Sequence, residues 1–277
     1  MGHHPKYGTC GKFGPERLAA MPDRAIRLGI IYPCSGTRDS DFWRFAPKSA
    51  SIHITRLAFE SVGTRDAVRE MSSNEHLREA AVLLSAVDPA AIAWADTSGS
   101  FLFGPSGDAE QVALLSEVGG VSATTTSTAI IAACEAAQIR VVDIASPYLP
   151  ELNEGLSAFL EAHDVRVGRV RALETKNSYE IASVSEAEQS ELIRSAAGVG
   201  EAVLVPCTDF LTTHLIPKLE QALNRLVIGA NPVTMWHLAH LVGAHRARSG
   251  DRLGRLFAMS HPPSSPSLRS QPANAAS

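Results

Sequence analysis

The sequence has few of the features that bind nucleic acids or membranes. Its 277 residues hold 25 Lys and Arg against 29 Asp and Glu, with no dense basic run, which argues against a surface for nucleic acid or anionic lipid. No apolar stretch reaches the roughly 18 residues of a membrane-spanning helix. The first residues also lack the apolar block of a signal peptide. These absences predict a cytoplasmic protein with no nucleic-acid or membrane partner.

Cysteine is scarce as well. The four cysteines are scattered without a Cys-x-x-Cys pair, at Cys10, Cys34, Cys134 and Cys207. Neither a zinc ribbon nor a disulfide framework is therefore predicted. His237 and His240 lie one helical turn apart, but no acidic residue nearby completes a metal site, so none is predicted. Gly104 is followed by Pro105 instead of Lys, which argues against a P-loop and a nucleotide cofactor.

Short apolar runs alternate with helical segments along most of the chain. The runs that predict strands are 26–32, 52–57, 91–95, 140–145, 165–173, 202–205 and 226–228. Several are apolar almost throughout, which is typical of parallel strands covered by helices on both faces. In a helical segment between them, Leu152, Leu156, Phe159 and Leu160 have the spacing of one helix face, with Pro150 in the first turn. The sequence predicts an α/β fold with two similar lobes, each a mostly parallel sheet flanked by helices.

The strand pattern also suggests domain limits. Residues 25–120 are predicted to form an N-terminal lobe on which 231–258 packs, and 121–230 a C-terminal lobe. Residues 1–24 and the Ser- and Pro-rich tail 260–277 are predicted to be disordered, because such composition buries too little apolar surface. Ligands bind beyond the carboxyl ends of strands in open α/β sheets. The active site is therefore expected in the cleft between the lobes.

Small and polar residues follow several of the predicted strands. These runs are Pro33-Cys34-Ser35-Gly36-Thr37, Asp96-Thr97-Ser98-Gly99-Ser100, Ser146-Pro147-Tyr148 and Pro206-Cys207-Thr208-Asp209. A further run, 122–128, is rich in Thr and leads into the apolar helix predicted at 129–137, so one of its hydroxyls is expected to cap that helix. Hydroxyls and free backbone N–H groups suit a substrate that carries a carboxylate.

Three separated segments together resemble the aspartate/glutamate racemase superfamily, in the branch of maleate cis-trans isomerases and arylmalonate decarboxylases. The segments are 122–129, 145–148 with Asn153, and 203–211. The resemblance extends from about Ile26 to Val242 and implies an enzyme without a cofactor. Such enzymes use two acid/base positions, usually Cys, one from each lobe. By resemblance, the second position is Cys207 and the first is Asp96.

The loss of the first Cys favours decarboxylation within that branch. Arylmalonate decarboxylases also lack it, and they bind a carboxylate through residues that match Thr97, Ser98 and Tyr148. The resemblance implies a substituted malonate or similar small dicarboxylate as substrate, with Cys207 as proton donor. Backbone N–H groups near Thr208 are expected to help bind the carboxylate.

Other residues complete the predicted site. Gly36 stands where racemases and maleate isomerases tend to carry Asn, and its turn is included as substrate-binding through Pro33, Cys34 and Gly36. Aromatic residues near the strand ends are expected to form apolar walls, namely Phe42, Trp43, Trp94 and Phe210.

Three alternatives remain open at this point. Asp96 either orients the turn that follows it, as Asp often does, or acts as a second base opposite Cys207, which makes the enzyme an isomerase or racemase. Cys207 could also be an ordinary small buried residue. A third possibility is a carboxylate-binding protein without catalysis. An oligomer is compatible with all three.

Overall fold

The computed structural model describes residues 25–57, 64–210, 213–244 and 253–259. Both tails predicted to be disordered, 1–24 and 260–277, lie outside the described residues. No helix in the described ranges combines the length and apolar character needed to cross a bilayer.

Eight strands form two parallel four-stranded sheets. They are β1 (Ile26–Pro33), β2 (Ala50–Leu57), β3 (Ala91–Trp94), β4 (Ser122–Thr125), β5 (Val141–Ser146), β6 (Arg166–Ala172), β7 (Ala202–Val205) and β8 (Leu226–Gly229). The strand orders are β2-β1-β3-β4 and β6-β5-β7-β8. Each sheet thus repeats the same order, and the predicted α/β fold with two similar lobes is confirmed.

Helices connect the strands and cover the sheets. They are α1 (Asp39–Phe45), α2 (Arg65–Met71), α3 (Asn74–Ser85), α4 (Ser98–Phe101), α5 (Gly104–Gly119), α6 (Thr126–Ala136), α7 (Pro150–Glu161), α8 (Ser178–Ser183), α9 (Glu186–Ala196), α10 (Ile216–Leu223) and α11 (Ala230–Leu241). A 3₁₀ helix, Arg255–Ala258, follows. The predicted face of α7 is buried, with Pro150 in its first turn. As expected, a hydroxyl caps α6: Thr125 accepts a hydrogen bond from the Thr128 N–H at 2.9 Å.

The strand β4 was not predicted, and it shifts the limit between the lobes. Ser122–Thr125 pairs in parallel with Ala91–Trp94 and completes the first sheet, whereas the sequence pattern assigned these residues to the C-terminal lobe. The reason is chemical: of its four residues only Ala123 is apolar, so the run has no aliphatic pattern to mark a strand. Its two Thr hydroxyls are paired in the interior: the Thr124 Oγ1 lies 2.8 Å from Nδ1 of His237, and Thr125 donates to Asp108 at 2.5 Å.

Helix α11 packs on the first sheet although it follows the last strand of the second. Its Met235 and Leu238 are fully buried and form one apolar cluster with Leu28, Ile30 and Phe42. Fully burying an aliphatic side chain of this size contributes roughly 1.5–3 kcal/mol. Helix α11 therefore returns the chain from the second sheet to the N-terminal lobe.

A buried carboxylate, Asp143, fastens the second sheet to its connections. Its oxygens accept the N–H groups of Arg169, Gly198 and Gly200 at 2.6 to 2.9 Å, and a guanidinium nitrogen of Arg225 lies 3.5 Å away. We expect Asp143→Ala to lower the free energy of unfolding by about 3–5 kcal/mol, because it leaves buried donors without acceptors. Urea unfolding measures this difference.

A surface variant provides the control for Asp143. Asp88 is exposed and pairs with Arg27 at 3.2 Å, and exposed pairs contribute about 0–1 kcal/mol. Asp88→Ala should therefore change stability far less than Asp143→Ala. Equal losses in the two variants would contradict the role given to Asp143.

Candidate active site

The strand order determines where the two lobes can bind a ligand. The chain reverses direction across each sheet at its two central strands, β1 and β3 in one lobe and β5 and β7 in the other. A crevice opens at such a reversal, beyond the carboxyl ends of the strands. Asp96 follows β3 and Cys207 follows β7. The topology alone therefore places Asp96 of one lobe and Cys207 of the other at a common cleft.

A cavity of about 50 Å³ occupies this cleft. A single water requires roughly 10–15 Å³ on the same measure, so the space accommodates a small acid. Its walls come from both lobes and comprise Pro33, Ser35, Val68, Met71, Asp96, Ser98, Tyr148, Leu152, Thr175, Lys176, Asn177, Ser178, Ile181, Cys207, Thr208 and Asp209. Six residues of the predicted set are among them: Pro33, Asp96, Ser98, Tyr148, Cys207 and Thr208.

Cys207 is the thiol of the cavity. It is 7% exposed and lies in the loop after β7, where the Asp209 N–H donates toward its sulfur. Burial raises its pKa above the ordinary value, and the negative charges of Asp209 and Asp96 raise it further. Such a thiol keeps its proton at neutral pH, which suits a proton donor.

Asp96 has a structural and a chemical aspect. Its Oδ1 accepts the Ser98 hydroxyl at 2.9 Å and the Gly99 N–H at 2.7 Å, so it orients the first turn of α4. The residue also lines the cavity and is 8% exposed. Burial raises its pKa to about 6, with a smaller contribution from the charge of Asp209. Asp96 can therefore change protonation state near neutral pH.

The raised pKa of Asp96 predicts a pH-dependent stability effect. Below about pH 4 the residue is protonated in both the folded and unfolded states; as the pH rises through 6, the unfolded state ionises first and the fold loses stability. Asp96→Asn keeps the oxygen that accepts from Gly99 but cannot ionise. The free energy of unfolding of Asp96→Asn minus that of the wild type should therefore be larger at pH 8 than at pH 4. The expected increase is up to about 3 kcal/mol.

Urea unfolding of both proteins at the two pH values measures this. Asp88→Asn removes an exposed carboxylate and serves as the control for the loss of one acidic group. A stability difference between Asp96→Asn and wild type that is the same at both pH values would contradict a raised pKa.

The three predicted hydroxyls differ in how free they are. Tyr148 donates to the Pro206 carbonyl at 3.2 Å, and Ser98 donates to Asp96. The Thr97 hydroxyl is buried near that of Tyr148 but has no hydrogen bond of good geometry among the described residues. Burial and the nearby Cys207 and Asp96 hold the pKa of Tyr148 well above its ordinary value, so its O–H remains a donor. Ser98 and Tyr148 line the cavity, whereas Thr97 is 1% exposed and is not among the lining residues, so its predicted place at the substrate is not seen in this structure.

Sequence reasoning named the run that contains Asp209 but did not single it out. Asp209 is 6% exposed and lines the cavity. Its Oδ1 accepts the Tyr32 hydroxyl at 3.2 Å and the Thr37 N–H at 3.0 Å, which ties the loop after β7 to the loop after β1. Burial raises its pKa. Its position two residues after Cys207 was the one available signal.

The apolar part of the wall differs from the prediction. None of the four aromatic residues Phe42, Trp43, Trp94 and Phe210 is among the residues that line the cavity. Three of them are buried in the interior, and Trp43 is 55% exposed. The wall instead uses the aliphatic side chains Val68, Met71, Leu152 and Ile181, which helices α2, α7 and α8 supply. Phe42, Trp94 and Phe210 pack in the core instead, because large rings bury the most apolar area there.

The loop after β6 also reaches the cavity, and no sequence signal marked it. Residues 175–178 line the cavity, and the Ser178 hydroxyl lies 3.2 Å from that of Ser35 in the other lobe. Arg38 adds a second connection between the lobes by donating to the Ala182 carbonyl at 2.9 Å.

The turn after β1 contributes Pro33 but not its whole predicted set. Cys34 is exposed, and Gly36 packs so closely on Tyr32 that a Cβ would lie 2.3 Å from the ring; neither lines the cavity. Arg56 supports this turn by donating to the carbonyls of Pro33 and Gly36 at 2.9 Å. Gly36 is thus required by close packing.

The histidine pair of α11 is accounted for without a metal. Nδ1 of His240 lies 2.8 Å from the Trp236 carbonyl, and His237 contacts Thr124 as described above. Within the described ranges, no group of three His, Cys, Asp or Glu side chains could hold a metal ion.

Comparisons with known proteins show which family and which folds this chain resembles. The arylmalonate decarboxylase family model matches residues 30–257. The arylmalonate decarboxylase of Bordetella bronchiseptica is 31% identical over 234 residues, which cover 82% of this chain and 94% of that protein. A liganded crystal structure of an arylmalonate decarboxylase variant aligns with a TM-score of 0.74 at 27% identity, covering 83% of this chain and 98% of the other. The maleate isomerase of Pseudomonas putida, crystallised with maleate, shares the fold: the TM-score is 0.79 at 18% identity, over 86% of this chain and 99% of that one.

Proposed function

Because this chain belongs to the arylmalonate decarboxylase family, we propose that it removes carbon dioxide from a substituted malonate, with Cys207 as the proton donor. Family membership makes the protein a cofactor-independent decarboxylase or isomerase. The substrate class and the roles of individual residues are the proposal. The observation that carries it is a thiol, Cys207, that shares a cavity with the hydroxyl of Tyr148 and with that of Ser98 from the other lobe.

Loss of carbon dioxide creates the charge that the site must stabilise. The bond between the α-carbon and one carboxylate breaks, and its electron pair becomes an enediolate on the remaining carboxylate. Preorganised donors at those oxygens are the usual means of lowering such a barrier. Tyr148 supplies a hydroxyl on the cavity wall, and Ser98 can turn from Asp96 to the substrate when Asp96 is protonated. The family resemblance adds Thr97, which is buried next to them, as a third proposed donor.

The departing carboxylate requires a different environment. Val68, Met71, Leu152 and Ile181 form an apolar wall in the same cavity. A carboxylate against this wall loses hydration, which favours its conversion to neutral carbon dioxide. The proposal therefore places the retained carboxylate at the hydroxyls and the departing one at the aliphatic side chains.

Cys207 completes the reaction by protonating the α-carbon. The sulfur gives up its proton, a new carbon–hydrogen bond forms, and a thiolate remains. Because Cys207 is the one cysteine on the cavity wall within the described ranges, protonation comes from one side and yields one enantiomer.

Assays of carbon dioxide release before and after alkylation of the thiol test the proposal. Wild-type protein should release carbon dioxide from aryl- or alkylmalonates, and prolonged treatment with iodoacetamide at alkaline pH, which is needed because Cys207 has a raised pKa, should stop the release. Cys207→Ala, assayed with and without the reagent, identifies the thiol concerned. Absence of release from every malonate would overturn the proposal.

Isomerisation or racemisation is the second candidate, and the position of Asp96 favours it. With a pKa near 6 and a place on the cavity wall, Asp96 could remove an α-proton opposite Cys207. Exchange of α-protons with deuterated water, without carbon dioxide release, would support this reaction. Neither release nor exchange across many acids would indicate a carboxylate-binding protein instead.

A further inference from the structure

We propose that Asp96 returns a proton to Cys207 after each turnover and is thus a second catalytic residue of the decarboxylase. The inference rests on the proposed function. It assigns Asp96 a role that differs from attack on the substrate, because Asp96 acts on the enzyme's own thiolate once the product has formed.

The proton balance of the reaction creates the need for such a residue. Each turnover consumes one proton at the α-carbon and leaves Cys207 as a thiolate. That thiolate is 7% exposed and lies near the carboxyl groups of Asp96 and Asp209. An anion buried beside other acidic groups is strongly disfavoured. A proton must return to the sulfur before the next substrate dianion can bind.

Asp96 is placed to supply this proton. It lines the same cavity as Cys207, and the electrostatic interactions of Tyr148 with both residues put all three side chains in one neighbourhood. The Ser98 hydroxyl and the Gly99 N–H both donate to Oδ1 of Asp96. Its second oxygen, Oδ2, can therefore carry a proton without disturbing the start of α4.

The other acidic groups of the cavity are less suited. Asp209 lies beside the guanidinium of Arg38, which donates to its backbone carbonyl at 3.2 Å and whose positive charge favours the carboxylate form of Asp209. Tyr148 has a pKa well above its ordinary value, so it does not release a proton readily. Lys176 also lines the cavity but is exposed, and a variant at this position provides a direct comparison.

The proposed step balances without another reactant. The O–H bond of the Asp96 carboxylic acid breaks, and its proton binds to the Cys207 thiolate. Asp96 becomes a carboxylate and takes a proton from water when the product leaves. The negative charges of the bound dianion and then of the thiolate keep the proton on Asp96 until this step, and transfer from a carboxylic acid to a thiolate of raised pKa is downhill.

Rapid-quench kinetics with phenylmalonate in excess test the inference. Wild-type enzyme should form product linearly from the first turnover. Asp96→Asn starts with a protonated Cys207, so it should show a burst of one product per active site at the wild-type rate. Its later turnovers should be at least about 10-fold slower, since general acids typically contribute 10²- to 10⁴-fold. Imidazole buffer should restore part of the later rate.

Asp88→Asn removes the same charge at the surface and should behave as wild type. Linear kinetics of Asp96→Asn at the wild-type rate would overturn the inference, and so would a burst confined to Lys176→Met. A first turnover slowed as much as later ones would show that Asp96 acts on the substrate and would also overturn it. If wild-type enzyme forms no product even in the first turnover, the proposed function itself fails, which is a distinguishable result.

Discussion

Cys207→Ala is expected to lower kcat for malonate decarboxylation by about 10²- to 10⁴-fold, the usual contribution of a general acid. The thiol is the group that protonates the α-carbon, and Ala leaves water as the remaining proton source. Because water reaches the carbanion from either side, the residual product should also lose its optical purity. Steady-state assays of carbon dioxide release and chiral chromatography of the product measure the two effects.

Cys134→Ala is the matched control for this experiment. Cys134 is also a buried thiol with a raised pKa, about 12, but it lies in α6 and does not line the cavity. Its replacement should cost stability through a small packing defect and leave kcat unchanged. Wild-type kcat and stereochemistry in Cys207→Ala would exclude the thiol as the proton donor.

Thr97→Val and Tyr148→Phe are expected to lower kcat by about 10²- to 10³-fold each, because each removes one donor from the developing enediolate. Thr97→Val should not destabilise the fold. The Thr97 hydroxyl is buried without a well-formed hydrogen bond among the described residues, so an isosteric methyl group removes an unsatisfied group. Thr97→Val should therefore lower kcat in kinetic assays and leave the free energy of unfolding unchanged or higher in urea.

Thr126→Val is the matched control, for which we expect a loss of stability and an unchanged kcat. The Thr126 hydroxyl is also buried, but it is hydrogen-bonded, 2.8 Å from the Thr234 hydroxyl. Thr234 keeps its bond to the Ala230 carbonyl at 2.8 Å, so the variant loses one hydrogen bond, should lose about 0.5–1.5 kcal/mol of stability and should keep its kcat. A wild-type kcat in both Thr97→Val and Tyr148→Phe would refute the carboxylate-binding role of these hydroxyls.

The sequence predicted the fold where local pattern and tertiary structure agree. Buried runs such as Ala91–Trp94 and Ala202–Val205 are apolar at every position, since helices cover both sheet faces. Strand β4 was not predicted because its buried Thr side chains form hydrogen bonds with partners distant in sequence, such as His237. Periodicity carries no information about such pairing.

The site could be predicted in part for a similar reason. Strand ends meet at one edge of each sheet, so Asp96 and Cys207 could be placed from topology. The loop 175–178 follows an exposed edge strand and carries no motif, and only the assembled lobes show that it reaches the cavity. The aromatic residues were misassigned because proximity to a strand end does not say which way a ring points.

The stereochemistry of one reaction tests the central claim most directly. A malonate with one methyl and one phenyl substituent is prochiral, and its decarboxylation in deuterated water places one deuteron on the α-carbon. The account predicts that the wild-type enzyme releases carbon dioxide and forms a single deuterated enantiomer. A racemic product, or no release of carbon dioxide, would contradict one-sided protonation by Cys207.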